Sequence, residues 1–223
     1  MRGRFITLEG IEGVGKTTQV ATVRATLEAL GRRFHGTREP GGTPLAEDIR
    51  ALVLAPRTEP VPGSAELLLM FAARAVHVAN LIEPTLAAGQ DVVCDRFTDA
   101  TYAYQGGGRG VPVADVAALE AITHGGLQPD LTLLLDAPPA LALQRAKRRS
   151  AADRFEAETL AFFERVRAAY LARSAAEPQR FVVVDAAQPL EAVSAAVANA
   201  IQSAVVTWTN APAAQINAMS AKS

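Results

Sequence analysis

The sequence predicts an α/β domain: a five-stranded parallel sheet with helices on both faces. Three observations predict it. Short, near-continuously apolar runs alternate with longer segments of helical period, which is the pattern of parallel strands joined by crossover helices. A glycine-rich, phosphate-binding pattern lies between the first apolar run and the first helical segment. No internal repeat and no Pro/Gly linker divides the 223 residues, so residues 1–206 read as one domain.

Taken in order, Phe5 to Leu8 is the first strand, an aromatic followed by apolar and β-branched residues. Thr17 to Leu30 is the first helix. Arg33 to Thr37 is a weaker strand, followed by helical segments at Leu45 to Leu54 and Ser64 to Leu86. Asp91 to Cys94 is the next buried strand. Ala103-Tyr-Gln-Gly-Gly-Gly-Arg-Gly110 reads as a Gly-rich turn, and Val113 to Thr123 as a helix. Leu131 to Leu135 and Phe181 to Val184 complete the sheet, with helices at Pro139 to Lys147, Ala157 to Ser174 and Leu190 to Ser203. Beyond Val206 the composition shifts to Ala, Ser, Thr and Asn, so residues 207–223 are expected to form a flexible tail.

Composition narrows the class. Hydrophobic residues make up 49% and charged residues 20%, as in ordinary globular chains. The 22 basic and 23 acidic residues nearly cancel, so no global field recruits nucleic acid or an anionic membrane, and the expected partners are small molecules. The single cysteine, Cys94, excludes a disulfide within the chain and points to a reducing compartment, the cytoplasm. The Met1–Glu9 stretch is too short in apolar run for a signal peptide, and no apolar stretch approaches the ~20 residues of a membrane span.

Gly10-Ile-Glu-Gly-Val-Gly-Lys-Thr17 matches G-x-x-x-x-G-K-[ST], the P-loop. A strand before it and a helix after it are the context the motif requires. Glycines let successive N–H groups turn inward, and the helix N-terminus adds its positive dipole end. Lys16 is expected to reach the β- and γ-phosphates of ATP, and the Thr17 hydroxyl to bind Mg²⁺. The Asn-Lys-x-Asp signature of guanine-reading switches is absent. Arg38-Glu-Pro-Gly-Gly42 and Asp95-Arg96 both follow strands, at the edge where open α/β sheets bind ligands. Arg145, Lys147, Arg148, Arg149 and Arg154 form a basic run. Together these clusters suit a second, phosphorylated substrate.

Four segments, in order and at family-like spacing, resemble the bacterial thymidylate kinases from about Arg4 to about Ala204. They are Gly10-Ile-Glu-Gly-Val-Gly-Lys-Thr-Thr18, Arg38-Glu-Pro-Gly-Gly42, Cys94-Asp-Arg-Phe97 and Ala103-Tyr-Gln-Gly106. The resemblance implies a P-loop NTPase fold, a reaction of ATP and dTMP giving ADP and dTDP for dTTP synthesis, Mg²⁺ as cofactor and a homodimer. It implies ATP contacts from Gly10, Glu12, Gly13, Val14, Gly15, Lys16, Thr17 and Thr18. Arg96 would bridge the acceptor phosphate and the transferring phosphoryl, and Arg38, with Arg50, would hold the acceptor phosphate. Glu12 would accept a bond from the acceptor 3′-hydroxyl, and Asp95 would assist Mg²⁺ through water or orient an arginine. Thr101 and Gln105 match positions facing the base edge, and Tyr104 the residue that crowds ribose C2′.

In most of the family a Phe precedes a pocket Arg by four positions. Here Phe71 lies three before Arg74 and Met70 four before, and both spacings share a helix face with it. Either Phe71 stacks on the base, or Met70 lays its thioether there while Phe71 packs in the core. Position 14, where one branch of the family carries a P-loop arginine, is Val14, so the basic run within about 145–156 resembles the lid that supplies it instead. Arg149 is then the leading catalytic candidate, with Arg145 and Arg154 on the nucleotide side. A kinase for another nucleoside monophosphate, or a nucleotide-gated switch without an acceptor, are the alternatives that the same residues allow.

Overall fold

The computed structural model describes residues 1–146, Phe155 and residues 158–210. Its centre is a parallel sheet of five strands in the order β2-β3-β1-β4-β5. The strands are β1 (Phe5–Glu9), β2 (Phe34–Arg38), β3 (Asp91–Asp95), β4 (Leu131–Asp136) and β5 (Phe181–Asp185). The helices are α1 (Lys16–Ala29), α2 (Pro44–Leu54), α3 (Gly63–His77), α4 (Glu83–Ala87), α5 (Thr98–Thr101), α6 (Val113–Thr123), α7 (Pro139–Ala146), α8 (Leu160–Ala176) and α9 (Leu190–Asn210). Leu8, Leu133, Val93 and Ile6 are fully buried, as expected for a sheet covered on both faces.

Each strand extends beyond its apolar run and ends on a charged side chain: Glu9, Arg38, Asp95, Asp136 and Asp185. Apolarity marks where a strand is buried, whereas the ladder continues to the carboxyl edge of the sheet. There Leu8 pairs with Asp95, and Arg38 with Asp95 on the other side. The chain leaving β1 and the chain leaving β3 therefore emerge side by side. That edge is also where the strand order reverses about β1, the place at which such sheets bind ligands.

Three expectations are corrected. The Gly-rich segment at Ala103–Gly110 is not a turn: α5 continues into a π-helical stretch, Tyr102–Gly108, and Arg109 N–H donates to the Tyr104 carbonyl at 2.9 Å. Gly107 and Gly108 serve close approach rather than reversal, whereas Gly110, with φ of 75° and nothing packed against it, follows the helix end. A Cβ at Gly107 would lie 2.7 Å from that of Ala169, and one at Gly108 would overlap the Phe162 ring, so α8 packs directly on this backbone.

Second, α9 runs past residue 206 to Asn210, because no Gly or Pro interrupts the sequence from Leu190 to Asn210. Half-buried Trp208 sits beneath the Arg4 and Arg32 guanidinium groups, at 5.4 and 5.9 Å. Third, Gly63–Ala87 and Leu190–Asn210 are each long and apolar enough, by length and composition, to cross a membrane. The first is nevertheless a core helix. Glu66, Arg74 and His77 are buried within it, and all three are hydrogen-bonded to other elements.

Candidate active site

The P-loop forms as its sequence dictates. Gly10, Gly13 and Gly15 have φ of 133°, 78° and 95°, the left-handed half of backbone space that side chains disfavour. A Cβ at Gly13 would also overlap the Ala142 carbonyl of α7. Val14 is buried in the main core and anchors the loop from below, so its side chain faces away from any phosphate and only its backbone is available to one. Gly15 caps α1, which opens at Lys16, and the Thr17 and Thr18 side chains are exposed at its first turn. Lys16 Nζ lies over the loop and donates to the carbonyls of Gly10 and Ile11, at 3.0 and 2.9 Å. Burial, and then the nearby Arg96 charge, bring its pKa down to about 8.

Arg96 follows β3 and is the one non-glycine described residue with positive φ, 71°. Its N–H donates to the Leu8 carbonyl at 2.9 Å, and its own carbonyl accepts from Cys94 Sγ–H at 3.0 Å. This held, unfavourable backbone turns the side chain toward the P-loop. Arg96 Nη2 donates to Glu12 Oε1 at 2.8 Å, Nη1 to the Tyr170 hydroxyl at 3.2 Å, and the guanidinium lies 4.7 Å from the Tyr104 ring centroid. Tyr104 Oη–H donates to the other Glu12 oxygen at 2.6 Å. Glu12, Arg96 and Tyr104 thus form one charged cluster.

Behind that cluster lies Glu9, fully buried at the end of β1. It accepts from the Phe97 N–H and from the Tyr170 hydroxyl, both at 2.7 Å. Burial, reinforced by the Asp99 charge, pushes its carboxyl up to about 8. Between pH 4.5 and about 8 the folded state therefore holds a proton that the unfolded chain has lost, so this group's contribution to stability falls as pH rises through that window. Glu9→Gln is accordingly expected to gain on the wild type as pH increases. By pH 8 the gain should be of order 2 kcal/mol, or roughly 5 °C in melting temperature. Melting curves of both proteins at pH 5 and pH 8 check this, and an advantage that does not grow with pH would refute it.

A cavity of about 190 Å³ opens beside the P-loop. Glu12, Lys16, Arg50, Met70, Asp95, Arg96, Tyr104 and Gln105 line it, together with Glu39, Pro40, Ala100 and Phe155. The structure separates the two readings of α3. Met70 lines the cavity, whereas Phe71 packs with Leu67, Tyr102 and Val116 in a satellite core and lies 4.8 Å from the Arg74 guanidinium. Of the two alternatives, this arrangement favours the one with Met70 at the cavity and Phe71 in the core. Arg50 borders the cavity and donates to the Pro40 carbonyl. Arg38 does not line it: this half-exposed side chain pairs with Glu47 at 2.8 Å, and Glu47 in turn accepts from the Gly42 N–H. Thr101 is fully buried and accepts from Arg74 Nη2 at 2.9 Å instead of facing the cavity. Arg145 donates to the Ala186 carbonyl, between α7 and the loop after β5. Arg149 and Arg154 lie outside the described residues.

Several members of the site carried no assignment from sequence. Glu39 lines the cavity and pairs at once with Arg74 (2.7 Å) and His77 (2.9 Å), and His77 also meets the Thr37 hydroxyl at 2.8 Å. Burial raises the Glu39 carboxyl, but Arg74 and His77 outweigh it and hold it below the usual range. Its signal was its place inside Arg38-Glu-Pro-Gly-Gly42. Phe155 meets Tyr104 edge-on at 5.8 Å, a contact no local pattern announces. Among the charged strand ends, Asp95 has a buried oxygen, Oδ1, that finds no hydrogen-bond partner among the described residues. Glu9, Asp136 and Asp185 are all engaged within the protein.

A P-loop under a parallel sheet, facing a cavity lined by a buried cation and oriented carboxylates, defines a nucleotide phosphotransferase of the P-loop class. Residues 8–197 match the family model of thymidylate kinase. The thymidylate kinase of Chromohalobacter salexigens is 58% identical over 93% of this chain and 99% of its own. That of Teredinibacter turnerae is 53% identical over 91% and 98%. The crystal structure of thymidylate kinase from Ehrlichia chaffeensis superposes with a TM-score of 0.71 at 30% identity, covering 91% of this chain and 99% of that one. The chain belongs to the thymidylate kinase family.

Proposed function

We propose that this protein transfers the γ-phosphoryl group of ATP to dTMP, giving ADP and dTDP. Family membership supports the reaction, and one structural observation carries it: Lys16 of the P-loop and Arg96, just past β3, line the same cavity as Met70 and Gln105. On this reading, phosphate-binding and base-reading groups share one space. Because the acceptor is already an oxyanion, the reaction needs alignment and charge neutralisation rather than a strong base.

In this reading, the P-loop amides and Lys16 hold the donor phosphates. Arg96 neutralises charge between acceptor and donor, while Glu12 and Tyr104 fix its guanidinium and border the sugar. Arg50 binds the acceptor phosphate, with Arg38 reaching it only on leaving Glu47. Met70 lies against the base. The donor set fits Mg²⁺, which typically keeps waters and takes one or two carboxylates beside phosphate oxygens: the Thr17 hydroxyl and the unpartnered Asp95 Oδ1 would hold it, and it would neutralise phosphate charge. Arg149 remains the candidate that a lid would bring to the phosphoryl group, with Arg145 and Arg154 beside the nucleotide.

ADP release from Mg-ATP with dTMP, dUMP, CMP, AMP, thymidine or no acceptor tests the proposal. Turnover strongest with dTMP supports it; preference for another monophosphate, or release without acceptor, overturns it. We assign the protein to the cytoplasm, where buried Cys94 stays a thiol, and to a homodimer. Leu68 of α3 and Ile122 of α6 are exposed apolar residues on helices that pack together, which supports an interface there. Ile122→Glu is expected to shift sedimentation from dimer to monomer.

A further inference from the structure

We infer that Glu66 is a positioning residue that fixes which way the Gln105 amide faces, and so selects pyrimidines carrying a ring N–H beside a carbonyl against cytosine-type bases. The inference rests on reading the cavity as the acceptor's site.

Gln105 lies in the π-helical stretch, fully buried, and lines the cavity. The two ends of a glutamine amide are nearly identical in shape, so packing alone cannot choose between them; only hydrogen-bond partners can. Glu66 of α3, also fully buried, supplies that choice. Its Oε1 is 2.8 Å from Gln105 Nε2. Arg109 Nε donates to the same oxygen at 3.3 Å. Beside a guanidinium the carboxylate offers acceptors only, so the Gln105 NH₂ group must face it. Oε1 is left on the other end, buried and without a partner among the described residues.

A second buried carboxylate, Glu39 of the cavity lining, acts in the same way on Arg74, which is fully buried behind the lining and does not itself border the cavity. Glu39 takes Arg74 Nε, and Thr101 takes Nη2, leaving Nη1 buried and likewise unpartnered. The protein thereby holds one acceptor and one donor, each backed by a carboxylate it cannot rotate away from. Thymine and uracil present the complementary donor and acceptor along N3 and O4. Cytosine presents the reverse, and each reversed pairing leaves a buried group unsatisfied, which is the most discriminating device available to such a site.

The test compares dTMP with 5-methyl-dCMP, which differ only along that edge. Wild type and Glu66→Gln are measured for kcat/KM and for equilibrium binding of both nucleotides, with thermal melts to report folding. A glutamine at 66 pairs with Gln105 in either orientation, so the preference for dTMP is expected to narrow at least ~10-fold. The change should fall in KM and binding, with kcat on dTMP nearly unmoved. An unchanged ratio in a folded variant overturns the inference. Should Glu66→Gln not fold, Arg109→Met removes the cation from Glu66 Oε1, and at least ~3-fold narrowing is expected by the same logic; an unchanged ratio there overturns it too. A wild type that binds dTMP but does not phosphorylate it overturns the reaction and leaves the binding ratio to judge Glu66. One that binds neither nucleotide overturns both.

Discussion

Replacing Arg96 by Ala is expected to lower kcat by about 10²–10³-fold, the cost of removing one fixed donor to developing charge. The expectation comes from how completely the structure immobilises this side chain. Arg96 has φ of 71°, lies over the Tyr104 ring, and is bonded to Glu12 and Tyr170. Burial disfavours its charge, but Tyr104 and Glu12 hold its pKa well above the ordinary value, so it stays cationic at every working pH. A cation already fixed in a half-buried site costs little reorganisation when charge develops. Arg96→Lys should recover only a small part of the loss, because one ammonium cannot meet Glu12, Tyr170 and a phosphate in the guanidinium's geometry. Steady-state kinetics with circular dichroism as a folding control decide the matter. A folded Arg96→Ala within tenfold of wild type would remove Arg96 from the mechanism.

Lys16→Ala should be of similar size, about 10²–10³-fold in kcat/KM for ATP, and the wild type carries a pH signature that identifies its origin. The Lys16 ammonium is charged below about 8 and neutral above it. Since kcat/KM reports the free enzyme, it should fall about tenfold per unit as pH rises beyond that value. In the nucleotide complex the phosphates restore the charge, so kcat should hold to higher pH than kcat/KM does. Identical pH profiles for the two parameters would refute this account of Lys16.

The phosphate site was legible because its chemistry is local. Gly10, Gly13, Gly15, Lys16 and Thr17 are adjacent in sequence, and the positive φ values and helix start follow directly from residue type. The strands were legible for a similar reason: Val92, Val93, Leu133 and Leu134 are apolar because both faces of the sheet are buried. Glycine was less transparent. Gly106, Gly107 and Gly108 have the composition of a turn, but the missing side chains of Gly107 and Gly108 make room for α8, and only the packed helix shows why.

The cavity beyond the P-loop depended on distance in space. Phe71 and Met70 occupy the same helix with nearly equal claims on Arg74, and hydrophobic pattern cannot separate them. The decision came from Leu67, Tyr102 and Val116, which take Phe71 into a core and leave Met70 at the cavity. Arg38 is adjacent to the site in sequence but turns to Glu47, whereas Glu66, absent from any motif, governs Gln105 across 39 positions of chain. By itself the sequence determined the sheet, the P-loop and the family, because these rest on local backbone freedom and on residue order. Only the tertiary structure decided which buried polar atoms beside the cavity are left without a partner among the described residues, because a buried donor or acceptor is defined by the partners that have already claimed its other bonds.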